Sequence, residues 1–114
     1  MSTSNKTYNP VQSLSIRATA DLPAFRFISF SGALCANETR AAGVTEVDWV
    51  NGENAAVVSL GTIAIETSES VTLGADVTCS GDGKAKPASG TMPVNGRALD
   101  ACTGAGFIRI KLVP

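Results

Sequence analysis

Residues 55–66 (AAVVSLGTIAIE) form the longest β-branched run in the chain, uncharged until its last residue and interrupted by a glycine at position 61. Val57, Ile63 and Ile65 favour a pleated backbone, because branching at Cβ restricts χ1 and packs well on a sheet surface. Gly61 within such a run points to a bulge, a bend, or close approach by another backbone. Turn-rich segments flank the run, residues 50–54 before it and 66–70 after it. The expectation is one bent, mostly buried strand, or two short ones, at the centre of a small β domain.

The rest of the chain reads as shorter strands around that centre. Residues 14–20 alternate apolar and polar side chains, the clearest period of two in the sequence. A turn at Pro23 follows, then residues 25–30 with three phenylalanines, a second expected strand. Their place is in the core or a subunit contact, since a platform for nucleic acid bases needs basic residues between the rings and only Arg26 qualifies. Residues 71–79 form a further alternating stretch. Gly81-Asp82-Gly83 then reads as a hairpin turn, lacking the acids of a calcium loop and the ending of a phosphate loop. Residues 85–93 read as a loop and residues 94–101 as a strand or short helical turn. Residues 107–113 close the chain as a strand with Arg109 and Lys111 on one face. Short strands separated by turn signals indicate an all-β sandwich or barrel, one domain over residues 14–114. Residues 1–13 are polar and read as a flexible N-terminal arm, either a frayed end or a segment that orders on a partner through Tyr8.

Composition narrows the chemistry. There is no histidine among the 114 residues, which removes the usual general base and the commonest metal ligand. Three widely spaced cysteines, 35, 79 and 102, support neither a zinc knuckle nor a disulfide framework and read as free thiols in a reducing compartment. The opening residues are polar, so no signal peptide is expected. No apolar stretch is long enough to cross a bilayer, so a soluble protein made in the cytoplasm is expected. The net charge of −1 gives no reason to expect nucleic acid or an anionic membrane as a partner. Its distribution is uneven: residues 38–76 hold seven acids and one base, and residues from 84 onward hold five bases and one acid. Those halves either pair within the monomer or meet between copies. Trp49, the single tryptophan, is either core or an interface anchor.

A series of punctuation points carries a resemblance. Gly43-Val44, Asn51-Gly52-Glu53, Gly61-Thr62-Ile63-Ala64-Ile65, Gly74-Ala75-Asp76-Val77, Gly83-Lys84-Ala85, Gly96-Arg97-Ala98-Leu99 and the ending Leu112-Val113-Pro114 appear in that order. Over residues 14–114 the chain resembles the small capsid cement, or head decoration, proteins of tailed bacteriophages. The resemblance implies a structural virion protein, assembled in the host cytoplasm, that binds the outer surface of the head. There it would stabilise the shell against internal DNA pressure. Its implied partners are the major capsid protein and copies of itself, as a trimer or dimer. No catalytic, cofactor or metal residues come with the resemblance. Tyr8, Pro10, Trp49, Arg97, Arg109 and Lys111 are the candidates for contact with the capsid or between subunits. A phage-borne carbohydrate- or receptor-binding β module is the alternative. Such sites show several exposed aromatic rings, and this chain has six aromatic residues, four of them phenylalanine. An enzyme on a small β scaffold is a third reading, opposed by the missing histidine and the lack of any nucleophile or paired-carboxylate motif.

Overall fold

The computed structural model describes residues 7–113, and among them every regular element is a β-strand. The strands are β1 (Pro10–Arg17), β2 (Phe27–Ile28), β3 (Gly43–Thr45), β4 (Asn54–Thr67), β5 (Asp76–Cys79), β6 (Ala85–Pro87), β7 (Gly96–Ala98) and β8 (Gly106–Leu112). The central run is one continuous strand, β4, of 14 residues. Its first half pairs with β1 on one edge and β3 on the other, and its second half pairs antiparallel with β8. The change of partner falls at Gly61, which lies opposite Pro10 and has φ +104°. A Cβ there would stand 2.4 Å from the Asn9 carbonyl oxygen, so the bend requires glycine both for its backbone angle and for space. The ladder with β1 also shifts register twice between Pro10 and Ser13, which bends the pair further.

Strands β4, β6, β5, β7 and β8 close on themselves as a five-stranded barrel. The β4–β6 joint is a single parallel pair, Thr67 with Ala85; all other contacts in the wall are antiparallel. The interior is filled by Ile63 and Ile65 of β4, Val77 and Cys79 of β5, and Ile108, Ile110 and Leu112 of β8. Each fully buried isoleucine contributes about 1.5–3 kcal/mol through removal of apolar surface from water. A second cluster, Ala18, Leu22, Ile28, Ala55 and Val57, lies under the sheet formed by β2, β3, the first half of β4 and β1.

Several boundaries differ from the sequence reading. The strand expected from Leu14 begins at Pro10 and ends at Arg17, because Asn9 and Thr62 exchange hydrogen bonds that start the ladder early. Residues 1–6 of the expected arm lie outside the described residues. The three-phenylalanine strand shrinks to Phe27–Ile28, because Phe25 has φ +60° and leaves the pleat. Residues 71–75 are not in a strand: the Ala75 N–H bonds back to the Thr72 carbonyl in a turn with Gly74 at φ +81°. Ala85–Pro87, expected as loop, pairs with β5 across the Ser80–Lys84 turn. Of the two readings for residues 94–101, strand or short helical turn, the strand is the one found, as β7.

The uneven charge is partly settled inside the monomer. Lys86 meets Glu38 at 2.8 Å, Lys84 meets Glu66 at 3.4 Å and Arg97 meets Asp76 at 3.2 Å, so three of the seven acids of the middle are met by bases of the C-terminal part.

Candidate functional site

The six candidate contact residues fall in three settings. Arg97 and Lys111 stand opposite each other on the outer face of β7 and β8, and Asp76 lies opposite Arg97 on its other side. Lys111 is exposed and makes no ion pair among the described residues. It is also paired with Thr62, the residue after the Gly61 bend that Pro10 faces, so Pro10, Lys111 and Arg97 stand on neighbouring strands around that bend. Arg109 is held by Asp100 through Nε–Oδ2 at 3.0 Å and Nη2–Oδ1 at 2.9 Å, a two-point clamp that leaves it less free to bind a partner. Those hydrogen bonds and the charge of Asp100 raise the Arg109 pKa further above its ordinary value.

Tyr8 occupies the second setting. Its ring packs on the main core and meets Phe25 edge to face at 6.3 Å, and Phe25 meets Phe107 in the same way at 6.2 Å. Burial raises the Tyr8 pKa, and the neighbouring Glu46 adds to the shift. The residue is a clasp between the start of the described chain and the barrel.

Trp49 lies in the loop before β4. Its backbone and that of Leu22 exchange two hydrogen bonds of 2.8 Å. The side chain is half-buried against the second cluster, and its indole N–H is enclosed with no acceptor among the described residues. A shallow depression of about 300 Å³ opens beside it, lined by Asp21, Leu22, Pro23, Asp48, Trp49 and Val50.

Exposed apolar side chains were not visible to pattern reading, which assigns apolar residues to the core. Phe30 is 66% exposed, Val47 54% and Val50 56%. Phe30 borders a cleft of about 290 Å³ shared with Leu14, Arg40, Ser59 and Val94. The cue available in the sequence was the place of Val50 in the turn-rich segment 50–54; Val47 sits in an alternating stretch that gave none.

The three cysteines are buried free thiols. Cys35 lies 3.0 Å from the Thr39 hydroxyl, and Cys79 accepts from the Asn95 amide at 3.2 Å. A hydrogen bond from Cys79 lowers Cys35 to about 7 against the effect of burial, and the same contact with burial raises Cys79. Among the described residues no three cysteine or carboxylate side chains come together as metal ligands. The arrangement is suited to surface binding.

A family model described as "Phage cement protein" matches residues 6–112. Among solved structures, the chain is similar to the N base of head fibre gp8.5 from bacteriophage phi29. The TM-score is 0.76 and the sequence identity 19%, over 90% of this chain and 93% of that one. At that identity the likeness concerns the fold. No match was found among curated proteins.

Proposed function

The chain belongs to the phage cement protein family and has that family's capsid cement role; on that premise we propose that it sits on the outer surface of the head as a homo-oligomer and acts by binding alone, without turnover. The family match over residues 6–112 is the observation that carries this reading. A cement protein resists outward pressure by linking neighbouring shell subunits, and several contacts made together dissociate far more slowly than one. The rigid five-stranded barrel serves as the body of such a link, because a closed wall keeps its bound shape under load. The surface formed by Pro10, Lys111 and Arg97 is our candidate for contact between copies. Residues 1–6 are the candidate arm that reaches the shell, with assembly in the host cytoplasm.

Co-sedimentation of the purified protein with phage heads lacking it tests this directly. Saturable binding and a higher rupture temperature of the decorated heads are expected, with light scattering giving an oligomer in solution. Deletion of residues 2–6 should lower occupancy with little change in thermal stability. A monomer that leaves the heads bare and their rupture unchanged would refute the proposal.

A further inference from the structure

The loop region around Trp49 is built as a rigid platform. Besides the Leu22–Trp49 pair, Ala24 N–H donates to Asp48 Oδ1 at 2.8 Å and Asn51 N–H to Asp21 Oδ1 at 3.0 Å. Val50 N–H donates to Glu53 Oε1 at 2.7 Å, and Gly52 N–H to the Ala18 carbonyl at 2.8 Å. Two loops are thus tied to each other and to the end of β1, so little ordering remains to be done on binding.

What this platform displays is apolar. Val47 and Val50 are exposed, and the depression lined by Val50, Pro23 and Trp49 is predominantly hydrocarbon. Valines 44, 57, 58, 71 and 77 are all at or below 1% exposure, whereas Val11 on the β1 edge and Val94 beside the Phe30 cleft are exposed as Val47 and Val50 are. Exposed valines on a pinned loop around the single tryptophan mark a contact surface.

Charge selects the partner. Glu38, Glu66, Asp76, Asp82 and Asp100 each have a lysine or arginine within ion-pair distance. Asp21 and Asp48, which line the depression, and Glu53, which holds the Val50 N–H, have none among the described residues. Each uses one oxygen on a backbone N–H, and its other oxygen has no partner among the described residues. The rim is therefore anionic around an apolar centre.

We propose that this platform is the face that meets the capsid, and that it takes a segment of the shell protein presenting a lysine or arginine beside aliphatic carbon. This rests on the capsid-binding reading above. The aliphatic stem of such a side chain lies along Val50 and Pro23 towards Val47, its charged head reaches Asp48 or Asp21, and Trp49, which lines the same depression, packs against it. Each contact is small, and many copies on one shell make the attachment firm.

Phage heads lacking the protein are titrated with wild type, with the double variant Val47→Lys/Val50→Lys, and with Leu73→Lys, which alters an equally exposed apolar residue elsewhere. Thermal unfolding first establishes that both variants are folded. Trp49, the single tryptophan, is replaced with 5-hydroxytryptophan so that its emission is excited apart from that of the shell. Wild type and Leu73→Lys are expected to bind alike, with affinity falling as salt rises. The double variant should bind at least tenfold more weakly, and acrylamide quenching of position 49 should drop on the heads. Double-variant binding within twofold of wild type, or quenching unchanged on decorated heads, overturns the proposal while leaving the capsid role intact. Wild type that fails to bind heads at all overturns both.

Discussion

Asn95 holds Ala41 across 54 positions of sequence: its Oδ1 accepts the Ala41 N–H at 3.0 Å. The amide nitrogen of the same side chain donates to the Thr39 carbonyl at 2.9 Å and to Cys79 Sγ at 3.2 Å. One buried side chain, 5% exposed, therefore ties the loop before β3 to the barrel strand β5. Replacing it by an isosteric apolar residue strands a part-buried N–H and a part-buried carbonyl together. Asn95→Leu is expected to cost about 2–3 kcal/mol, measured by chemical denaturation, with amide exchange at Ala41 rising more than at Ile65.

The bend in β4 gives a second prediction. Gly61 and Gly52 have similar angles, φ +104° and +95°, but only Gly61 has the Asn9 carbonyl 2.4 Å from where a Cβ would lie. Gly52→Ala meets backbone strain alone, about 1 kcal/mol. Gly61→Ala adds a collision with backbone that has no room to retreat and is expected to cost about 3 kcal/mol or more. Loss of exchange protection confined to β1 would mark where the extra cost falls, and equal destabilisation of the two variants would contradict the assignment.

Glu38 has its pKa lowered by the hydrogen bond and charge of Lys86, 2.8 Å away. A depressed folded-state pKa means that the pair contributes stability above the ordinary carboxylate value, and loses it as pH falls through the folded value. Lys86→Met should return the Glu38 carboxyl to near its ordinary value of 4.5, followed by NMR titration of the side-chain carbon. It should also flatten the acid limb of the stability profile slightly, the pair being near the surface.

The thiols provide a prediction about reactivity. All three are buried, so thiol reagents should label the native protein slowly and the denatured protein at three sites. Because the Cys79 hydrogen bond brings Cys35 down to about 7, Cys79→Ala should shift the pH midpoint of Cys35 alkylation upward. A midpoint unmoved by that substitution would show that the two sulfurs do not share a proton.

How far the sequence told the fold in advance depends on how local each cause is. Gly61 within a β-branched run announced a bent central strand or two short ones, and the alternation of Ile108, Ile110 and Leu112 with Arg109 and Lys111 announced a strand with one apolar face. Phe25 did not announce itself: its positive φ is imposed by contacts with Thr45, Tyr8 and Phe107, all remote in sequence. Ala85–Pro87 looked like loop because Lys86 and Pro87 are poor strand formers, and pairing with Val77 and Thr78 overrode that preference. At the surface, the periodicity in residues 14–20 suggested an inward face for Leu14, whereas β1 lies at an edge and leaves it 37% exposed. The platform around Trp49 was hidden for the same reason, since Asp21 and Asp48 are brought together only by the Leu22–Trp49 bridge.

The joint between β4 and β6 has a mechanical meaning. Round the circumference of the barrel, every junction but one is an antiparallel ladder of at least two residue pairs. The exception is Thr67 with Ala85, backed by the Ser68 N–H to the Ala85 carbonyl at 3.0 Å. Hoop tension is the same at every point of a ring, so the ring parts where the fewest bonds share it. Stretched sideways, this cylinder unrolls at that point into a curved ribbon still joined through β6, β5, β7, β8 and β4, and with its neighbours intact it can roll shut again once the strain is released.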